Sequence, residues 1–227
     1  IEVCTESMWD HASKLRIPKM LVVNGLDREH TKFDEILLSA KKRFGNNVFP
    51  MQLPVNAGPG YNKNVDVLRN ELITYQPDSS GKMTESDLPD DLKGKVKNLH
   101  EELIEFVAES DDTLLEKFFE QGGLTEEEMR NGIHRAIQDQ TFIPLFCTSA
   151  TSNVGVARVC DFIAKYGSSP DDRKSITAND TKGNEVDVHL DGSETVLQIF
   201  KTMSESHVGE LSLFRVYSGK VKTGMDY

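Results

Sequence analysis

The sequence predicts an α/β fold, because two short apolar runs each lead into a polar loop and then into a helical pattern. The first run, from Pro18 to Val23, is followed by the loop Asn24–Asp27. The second run, FIPLFCTSA, ends at Ser149 and Ala150 and is again followed by a helical pattern. Since open α/β sheets bind ligands beyond the carboxyl ends of their strands, these two loops form the candidate site.

In the first part of the chain, the sequence pattern predicts a helix, a buried strand, a loop and a second helix. Residues 2–15 predict the first helix, and the opening IEVCTESMWD has the character of the middle of a helix, so we expect the chain to be part of a longer protein. The second helix ends at Gly45. Its apolar residues recur on one face at helical spacing: Phe33, Ile36, Leu37 and Ala40.

In the middle of the chain, the sequence pattern predicts several short strands followed by three helices. NVFPMQLPV and VDVLRNELITY predict strands, and QPDSSGKMTESDLPDD predicts a polar loop. The second of the three helices can be capped by Asp111 or Asp112 and ends at Gly122, and the third opens with a capping box from Thr125 to Glu128. All three helices carry apolar stripes that we expect in the core. In the second helix the stripe consists of Leu114, Leu115, Phe118 and Phe119.

In the last part of the chain, the sequence pattern predicts one more helix, a linker and a group of strands. Val156 to Tyr166 predicts a helix with Val159, Phe162 and Ile163 facing inward. Residues 167–185 predict a polar linker and a domain boundary. TVLQIFKTM and LSLFRVYSG then predict strands like those that open an all-β barrel. Two or three strands cannot close a barrel, so we expect unpaired strand edges.

Composition favours a protein of the reducing cytoplasm and argues against several kinds of site. The net charge is −11. No apolar run approaches the ~20 residues that cross a bilayer, so we expect no membrane association. The three cysteines have no paired spacing and the histidines are scattered, so we expect neither a disulfide framework nor a metal site. Cys147 and Cys160 are expected to be small core residues.

Negative charge is concentrated in the middle of the chain. Between Thr84 and Asp139 there are 16 acidic and six basic residues, whereas the rest of the chain is close to neutral. A nucleic-acid backbone repels such a segment, so it would face away from RNA or meet a basic protein. The alternative is that these residues are solvated helix faces, and composition leaves both interpretations open.

The two loops contain the groups that would recognise a guanine base. Guanine presents a ring N–H beside an exocyclic amino group, and the carboxylate of Asp27 can accept hydrogen bonds from both. The backbone N–H of Ala150 can donate to guanine O6, and Asn24 can tie the two loops together. The alternative is that Asn-Gly at this place is an ordinary tight turn.

Gly25 departs from the usual pattern of such a loop. The position after Asn normally holds Lys, whose alkyl stem covers one face of the base, but here it is Gly25. The missing burial is worth about 1–2 kcal/mol, which predicts roughly ten-fold or greater weakening of nucleotide binding.

Several segments resemble translation elongation factor G, the ribosomal translocase, and together they extend along the whole chain. RIPKMLVVNGLDRE is similar to the family's base-recognition segment P-x-x-x-x-x-N-K-x-D-R. IPLFCTSATSNVGVARVCDFIAKYGSSP is similar to its second guanine loop, the following helix and the exit from the GTPase domain. HVGELSLFRVYSGKVKTG is similar to the opening hairpin of its second domain, a β-barrel. LTEEEMRNGIHRAI resembles part of the extra subdomain that this family inserts in its GTPase domain.

The resemblance implies the C-terminal part of a P-loop GTPase domain with an inserted α+β subdomain, followed by the start of an all-β barrel domain. It assigns residues 1–45 to the GTPase domain and 46–141 to the inserted subdomain. Residues 142–169 return to the GTPase domain, and 170–227 begin the truncated barrel.

The resemblance also implies roles for individual residues and for cofactors. Asn24, Asp27, Ser149 and Ala150 stand at guanine-contact positions, with Gly25 in place of the family's Lys. The complete protein would bind GTP or GDP, with Mg²⁺ held at a phosphate loop. No G-x-x-x-x-G-K-[ST] loop occurs in this sequence, so the chain alone is expected to have no catalytic residue, to hydrolyse no GTP and to bind no cofactor.

The implied partner is the ribosome. A monomeric factor would contact ribosomal RNA, and its acidic inserted subdomain would meet the ribosomal stalk protein. Two alternatives stay open. One is a non-hydrolysing ribosome-binding translocation factor, which Gly25 favours. The other is a tetracycline-resistance ribosomal protection protein, which is also a GTPase.

Overall fold

The computed structural model describes residues 1–226, which form two compact units, the first of mixed α/β character and the second built of β-hairpins. The first unit ends at Ser168 and the second begins at Ser169. The helices of the first unit are α1 (Val3–Lys14), α2 (Phe33–Phe44), α3 (Asp90–Ala108), α4 (Asp112–Gln121), α5 (Glu126–Gln138) and α6 (Val156–Tyr166). Its strands are β1 (Leu21–Asn24), β2 (Val48–Pro50), β3 (Gln52–Pro54), β4 (Lys63–Asp66), β5 (Glu71–Tyr75), β6 (Met83–Asp87) and β7 (Ile143–Thr148).

A three-stranded parallel sheet of order β1-β7-β2 forms one part of the first unit. Every residue of the central strand β7 is buried, as the sequence predicts and as is typical of a parallel strand that is covered on both faces. The prediction of a buried strand from Pro18 to Val23 was partly wrong. The strand is Leu21–Asn24, and its alternate residues are exposed, with Val22 at 44%. The described residues cover only one face of this edge strand.

Met51 connects the parallel sheet to a four-stranded antiparallel sheet of order β3-β4-β5-β6. Its N–H donates to the carbonyl oxygen of Leu145 at 2.9 Å, and its carbonyl oxygen accepts from the N–H of Val67 at 3.0 Å. The structure differs here from the predicted division at residue 46, because β2 pairs with β7. The parallel sheet therefore extends into the range 46–141 that the resemblance assigns to the inserted subdomain.

The strand β6 lies in a segment that the sequence analysis assigned to a polar loop, and that assignment was wrong. β6 pairs with β5 along its whole length, from Met83 opposite Tyr75 to Asp87 opposite Glu71. Four of its five residues are exposed. A strand at the edge of a sheet with one open face needs no alternation of apolar and polar residues. The polar sequence of β6 therefore did not indicate a strand.

The predicted start and end of α4 and the predicted start of α5 are confirmed. The Asp111 side chain caps α4 and accepts from the N–H groups of Thr113 and Leu114. Gly122 ends α4 with a positive φ of 72°. The capping box of Thr125 and Glu128 opens α5. None of the helices among residues 1–226 combines the length and the apolarity that crossing a membrane requires.

The apolar stripe of α4 is not in the core, contrary to the prediction. No residue of α4 is buried, and Phe119 is 76% exposed. The helix packs chiefly on α3, so only one side of it is covered. Two expectations for α6 were wrong for the same reason, because Cys160 and Ile163 lie on its uncovered side and are exposed.

The second unit contains two separate hairpins. The first pairs β8 (Ser175–Asn179) with β9 (Glu185–His189), and the second pairs β10 (Val196–Glu205) with β11 (Gly209–Ser218). β8 lies inside the range 167–185 that was predicted to be a linker. Asp180 accepts backbone N–H groups from Lys182 and Asn184 and so closes the tight turn that joins β8 to β9. Within residues 1–226 no third strand pairs with either hairpin. The range 170–227 ends at Tyr227, which lies outside the described residues.

Candidate functional site

The two predicted loops lie side by side at the carboxyl edge of the parallel sheet. Asn24, the last residue of β1, is paired with Thr148, the last residue of β7. Beyond that pair, the N–H of Leu26 donates to the carbonyl oxygen of Thr148 at 3.2 Å. Parallel pairing in this register therefore places both loops at the same end of the sheet, where α/β proteins bind ligands.

The side chain of Asn24 joins the two loops. Its Oδ1 accepts a hydrogen bond from the backbone N–H of Ala150 at 2.9 Å and a second from Oγ1 of Thr148 at 3.3 Å. The N–H of Ala150, which the sequence analysis assigned to guanine O6, is thus already engaged. A ligand oxygen at this position would share that hydrogen in a bifurcated bond or displace Asn24 from it.

Ser149 supports the second loop from inside. It is fully buried, and its backbone exchanges hydrogen bonds of 3.0 and 2.9 Å with Val154. Its Oγ accepts from the N–H of Ser152 at 3.2 Å. These contacts close a short turn, so the Ser149 side chain shapes the loop and is not exposed to a ligand.

Asp27 presents a carboxylate with no partner. It is half-buried, and among residues 1–226 it forms no ion pair and its carboxylate accepts no hydrogen bond. Its neighbour Leu26 is fully buried, and the carbonyl oxygen of Leu26 accepts from the N–H of Gly58 at 2.7 Å. The backbone beside Asp27 is therefore anchored while the carboxylate is available.

Buried polar side chains support the end of β7 below the loops. Nδ2 of Asn64 donates to the carbonyl oxygen of Cys147 at 3.1 Å, and the hydroxyl of Tyr61 donates to Oδ1 of Asn64. Burial is the main cause that raises the pKa of Tyr61, with smaller contributions from nearby groups that include Asp27. Burial also raises the pKa of the Cys147 thiol well above its ordinary value, so this cysteine stays protonated and is not a nucleophile.

The conformation of Gly25 bears directly on the missing lysine. Its φ is +81°, in the left-handed region that side-chain-bearing residues rarely adopt. A Cβ at Gly25 would lie 3.2 Å from Nε of Arg28 and 3.5 Å from its Cδ. A longer residue would therefore begin in tight contact with the Arg28 side chain.

An open depression borders the first loop on its α2 side. Its lining from the loop includes Asn24, Gly25 and Arg28, and its lining from the region of α2 includes Lys32 and Glu35. Asp27, Ser149 and Ala150 do not line it. The described residues thus divide the site into an edge with the free carboxylate and a flank with the arginine.

Arg28 and the supports beneath the loops are the residues that sequence reasoning missed. The arginine was visible as the last letter of the quoted N-K-x-D-R pattern, whereas the role of Asn64 depends on a contact between residues 83 positions apart. Within residues 1–226 no group of three His, Cys, Asp or Glu side chains is arranged to hold a metal ion.

Comparison with known proteins shows a shared fold. No family model matches the chain. The crystal structure of a protein from Thermus thermophilus superposes on 99% of the chain, with a TM-score of 0.78 and 25% sequence identity. The chain spans 31% of the length of that protein. The likeness supports the α/β assignment over nearly the whole chain.

Proposed function

We propose that this chain is part of a cytoplasmic translation factor similar to elongation factor G. In this proposal it comprises the C-terminal part of a P-loop GTPase domain, an inserted α+β subdomain and the start of a β-barrel domain. The order of elements supports this, since the four-stranded sheet and α3 to α5 stand between two adjacent strand-end loops. The β-hairpins follow after α6.

The two loops bind the guanine base of GTP or GDP. The observation that carries this proposal is that Asn24 joins the loops while the carboxylate of Asp27 has no partner among residues 1–226. A free carboxylate beside an anchored backbone is suited to accept both the ring N–H and the exocyclic amino group of guanine. The N–H of Ala150 lies in the neighbouring loop and can be shared with guanine O6.

The phosphates and Mg²⁺ would be held outside this chain. The sequence has no phosphate loop, and the described residues contain no metal-binding cluster. The residues of this chain would therefore select the base, and the complete protein would supply the groups that bind the phosphates and any that hydrolyse GTP.

The acidic helices of the inserted segment would meet the ribosome through a protein surface. Phe119 of α4 is exposed, and the exposed carboxylates of Glu116 and Glu120 lie close to it in the sequence of the same helix. Such a surface repels RNA and is suited to a basic protein such as one of the ribosomal stalk. Reversing Glu116 and Glu120 to lysine should weaken binding to the isolated stalk protein while leaving GDP binding unchanged.

Calorimetric titration of the complete protein tests the proposed base recognition. GDP should bind at least about a hundred-fold more tightly than ADP, because adenine lacks the ring N–H and the amino group that Asp27 accepts. IDP, which lacks the amino group alone, should bind about ten-fold more weakly than GDP. Equal affinities for GDP and ADP would contradict the proposal.

The second candidate is a ribosome-binding factor that does not hydrolyse GTP. The conformation of Gly25 favours it, since a φ of +81° would strain the usual lysine. Translocation assays with GTP and with a non-hydrolysable analogue separate the two candidates. Equal rates over repeated turnovers support the non-hydrolysing factor, and loss of turnover with the analogue supports the GTPase.

A further inference from the structure

The side chain of Arg28 lies across the position where the lysine of such a loop would begin. Three consecutive atoms, Cδ, Nε and Cζ, are 3.5, 3.2 and 3.6 Å from the place that a Cβ on Gly25 would occupy. Because the three distances are nearly equal, this part of the side chain lies flat against the glycine and does not point away from it. A Cβ at Gly25 would be in tight contact with Nε of Arg28, so a residue with a side chain would shift the arginine from this position.

The backbone of Arg28 is held on both sides. Its N–H donates to the carbonyl oxygen of Gly25 at 3.1 Å, and its own carbonyl oxygen accepts from Oγ1 of Thr31 at 2.8 Å. The loop therefore presents the arginine from a defined turn, next to the Asn24 that joins the two loops.

The guanidinium of Arg28 has no partner among residues 1–226. The nearby cation Lys32, which lines the same depression, is paired with Glu35 at 2.7 Å. Arg28 is thus a cation of this flank whose planar group is available to a ligand. A guanidinium packs face to face on a flat π-system, and stacking of a nucleic-acid base on such a group stabilises binding.

We propose that Arg28 covers one face of the bound guanine base, as the lysine at the position of Gly25 would otherwise do. This inference rests on the proposed guanine site and identifies a residue that determines its affinity. Gly25 and Arg28 act together, because the arginine side chain lies against the glycine. The contact is with the base and not with the phosphates.

Titration of the complete protein with GDP and with GMP tests this role. Arg28→Ala should weaken GDP binding about ten-fold, and it should weaken GMP binding by the same factor, because a contact with the base does not depend on the number of phosphates. Arg28→Lys, which keeps an alkyl stem and the charge, should lose less than Arg28→Ala. A loss for GDP that is much larger than for GMP would place Arg28 at the phosphates and overturn the proposal.

Arg130→Ala is the matched control, since Arg130 is an exposed arginine on α5 and its removal changes the net charge equally. It should leave both affinities within two-fold of the original. If the unaltered protein discriminates GDP from ADP and Arg28→Ala binds GDP equally well, the role of Arg28 is wrong and the guanine site stands. If the unaltered protein does not bind GDP, the guanine site and the role of Arg28 both fail.

Discussion

The carboxamide oxygen of Asn24 lies 2.9 Å from the backbone nitrogen of Ala150, although 126 positions separate the two residues in the chain. This hydrogen bond helps to hold together two loops that follow different strands. The same oxygen also accepts from Thr148, so this one side chain adds two hydrogen bonds to the backbone bond between Leu26 and Thr148.

Asn24→Ala should therefore affect both stability and nucleotide binding. Loss of the cross-loop hydrogen bond is expected to lower the free energy of unfolding by about 1 kcal/mol. GDP affinity should fall about ten-fold, because the second loop loses its side-chain contact with the first and is positioned less rigidly. Urea unfolding and calorimetric titration measure the two effects. Asn98→Ala, on an exposed position of α3, is the control; it should leave GDP affinity unchanged and should not lower stability, because alanine favours a helix more than asparagine does.

Gly25→Lys should not restore a stronger site. A lysine would adopt a φ of +81° and crowd the side chain of Arg28, so we expect a loss of about 1–3 kcal/mol in stability and no gain in GDP affinity. Gly94→Ala is the matched control, because Gly94 is helical and no atom lies near its added Cβ. It should be neutral or stabilise by up to about 1 kcal/mol. A stable Gly25→Lys protein that binds GDP more tightly would contradict this prediction.

Arg158 should be important for attaching the antiparallel sheet to α6. Its side chain is only 5% exposed, and Nη2 donates to the carboxylates of Glu71 at 2.9 Å and of Glu85. Both acceptors are partly exposed, so we expect Arg158→Ala to lower the free energy of unfolding by about 2–4 kcal/mol, near the lower end for a broken buried pair.

Lys165→Ala provides the comparison for Arg158→Ala. Lys165 pairs with Glu126 at 2.8 Å, but both side chains are substantially exposed, so its loss should change stability by less than about 1 kcal/mol. Thermal or urea unfolding of the two variants measures the difference. Equal effects would show that burial of Arg158 contributes little.

Glu128 should make stability depend on pH in the acidic range. Hydrogen bonds from Lys117 and Thr125 lower its pKa from 4.5 to about 2. The folded state therefore holds this carboxylate ionised where the unfolded chain would protonate it. Its contribution is present above pH 4.5 and is lost as the pH falls through about 2.

Unfolding followed from pH 6 to pH 2 tests this contribution. In Glu128→Gln the fall in stability over the interval should be shallower than in the original protein. Burial raises the pKa of Asp66, which acts in the opposite sense, so the difference between the two proteins is the informative quantity. An identical slope in both would contradict the role of Glu128.

Local sequence rules predicted those parts of the fold in which the deciding interactions are local. The capping box of Thr125 and Glu128 depends on residues three positions apart, and the buried strand β7 is a continuous apolar run. The same rules did not predict the edge strand β6, because its pairing with β5 needs no apolar residues. Likewise, the stripe of α4 has helical spacing, but spacing does not state whether another element covers it. Phe119 is exposed for that reason.

In the candidate site, too, some features could be predicted from the local sequence and others could not. The positions of both loops could be predicted, because each loop comes directly after an apolar strand. The polar residues Asn24 and Asp27 could be identified from the sequence as candidate site residues. The engagement of Ala150 by Asn24 and the placement of Arg28 over Gly25 depend on loop conformation. The φ of a glycine cannot be read from a single sequence, so the position of the Arg28 side chain against Gly25 became visible only in the structure.

The most direct measurement concerns the base that Asp27 selects. Xanthine carries a carbonyl oxygen where guanine carries its amino group, so Asp27→Asn, whose amide can donate to that oxygen and accept from the ring N–H, should exchange one preference for the other. In the complete protein we expect Asp27→Asn to bind GDP at least about a hundred-fold more weakly and to bind XDP more tightly than GDP. Unchanged GDP affinity in Asp27→Asn, in a protein that remains folded, would contradict guanine recognition by these loops.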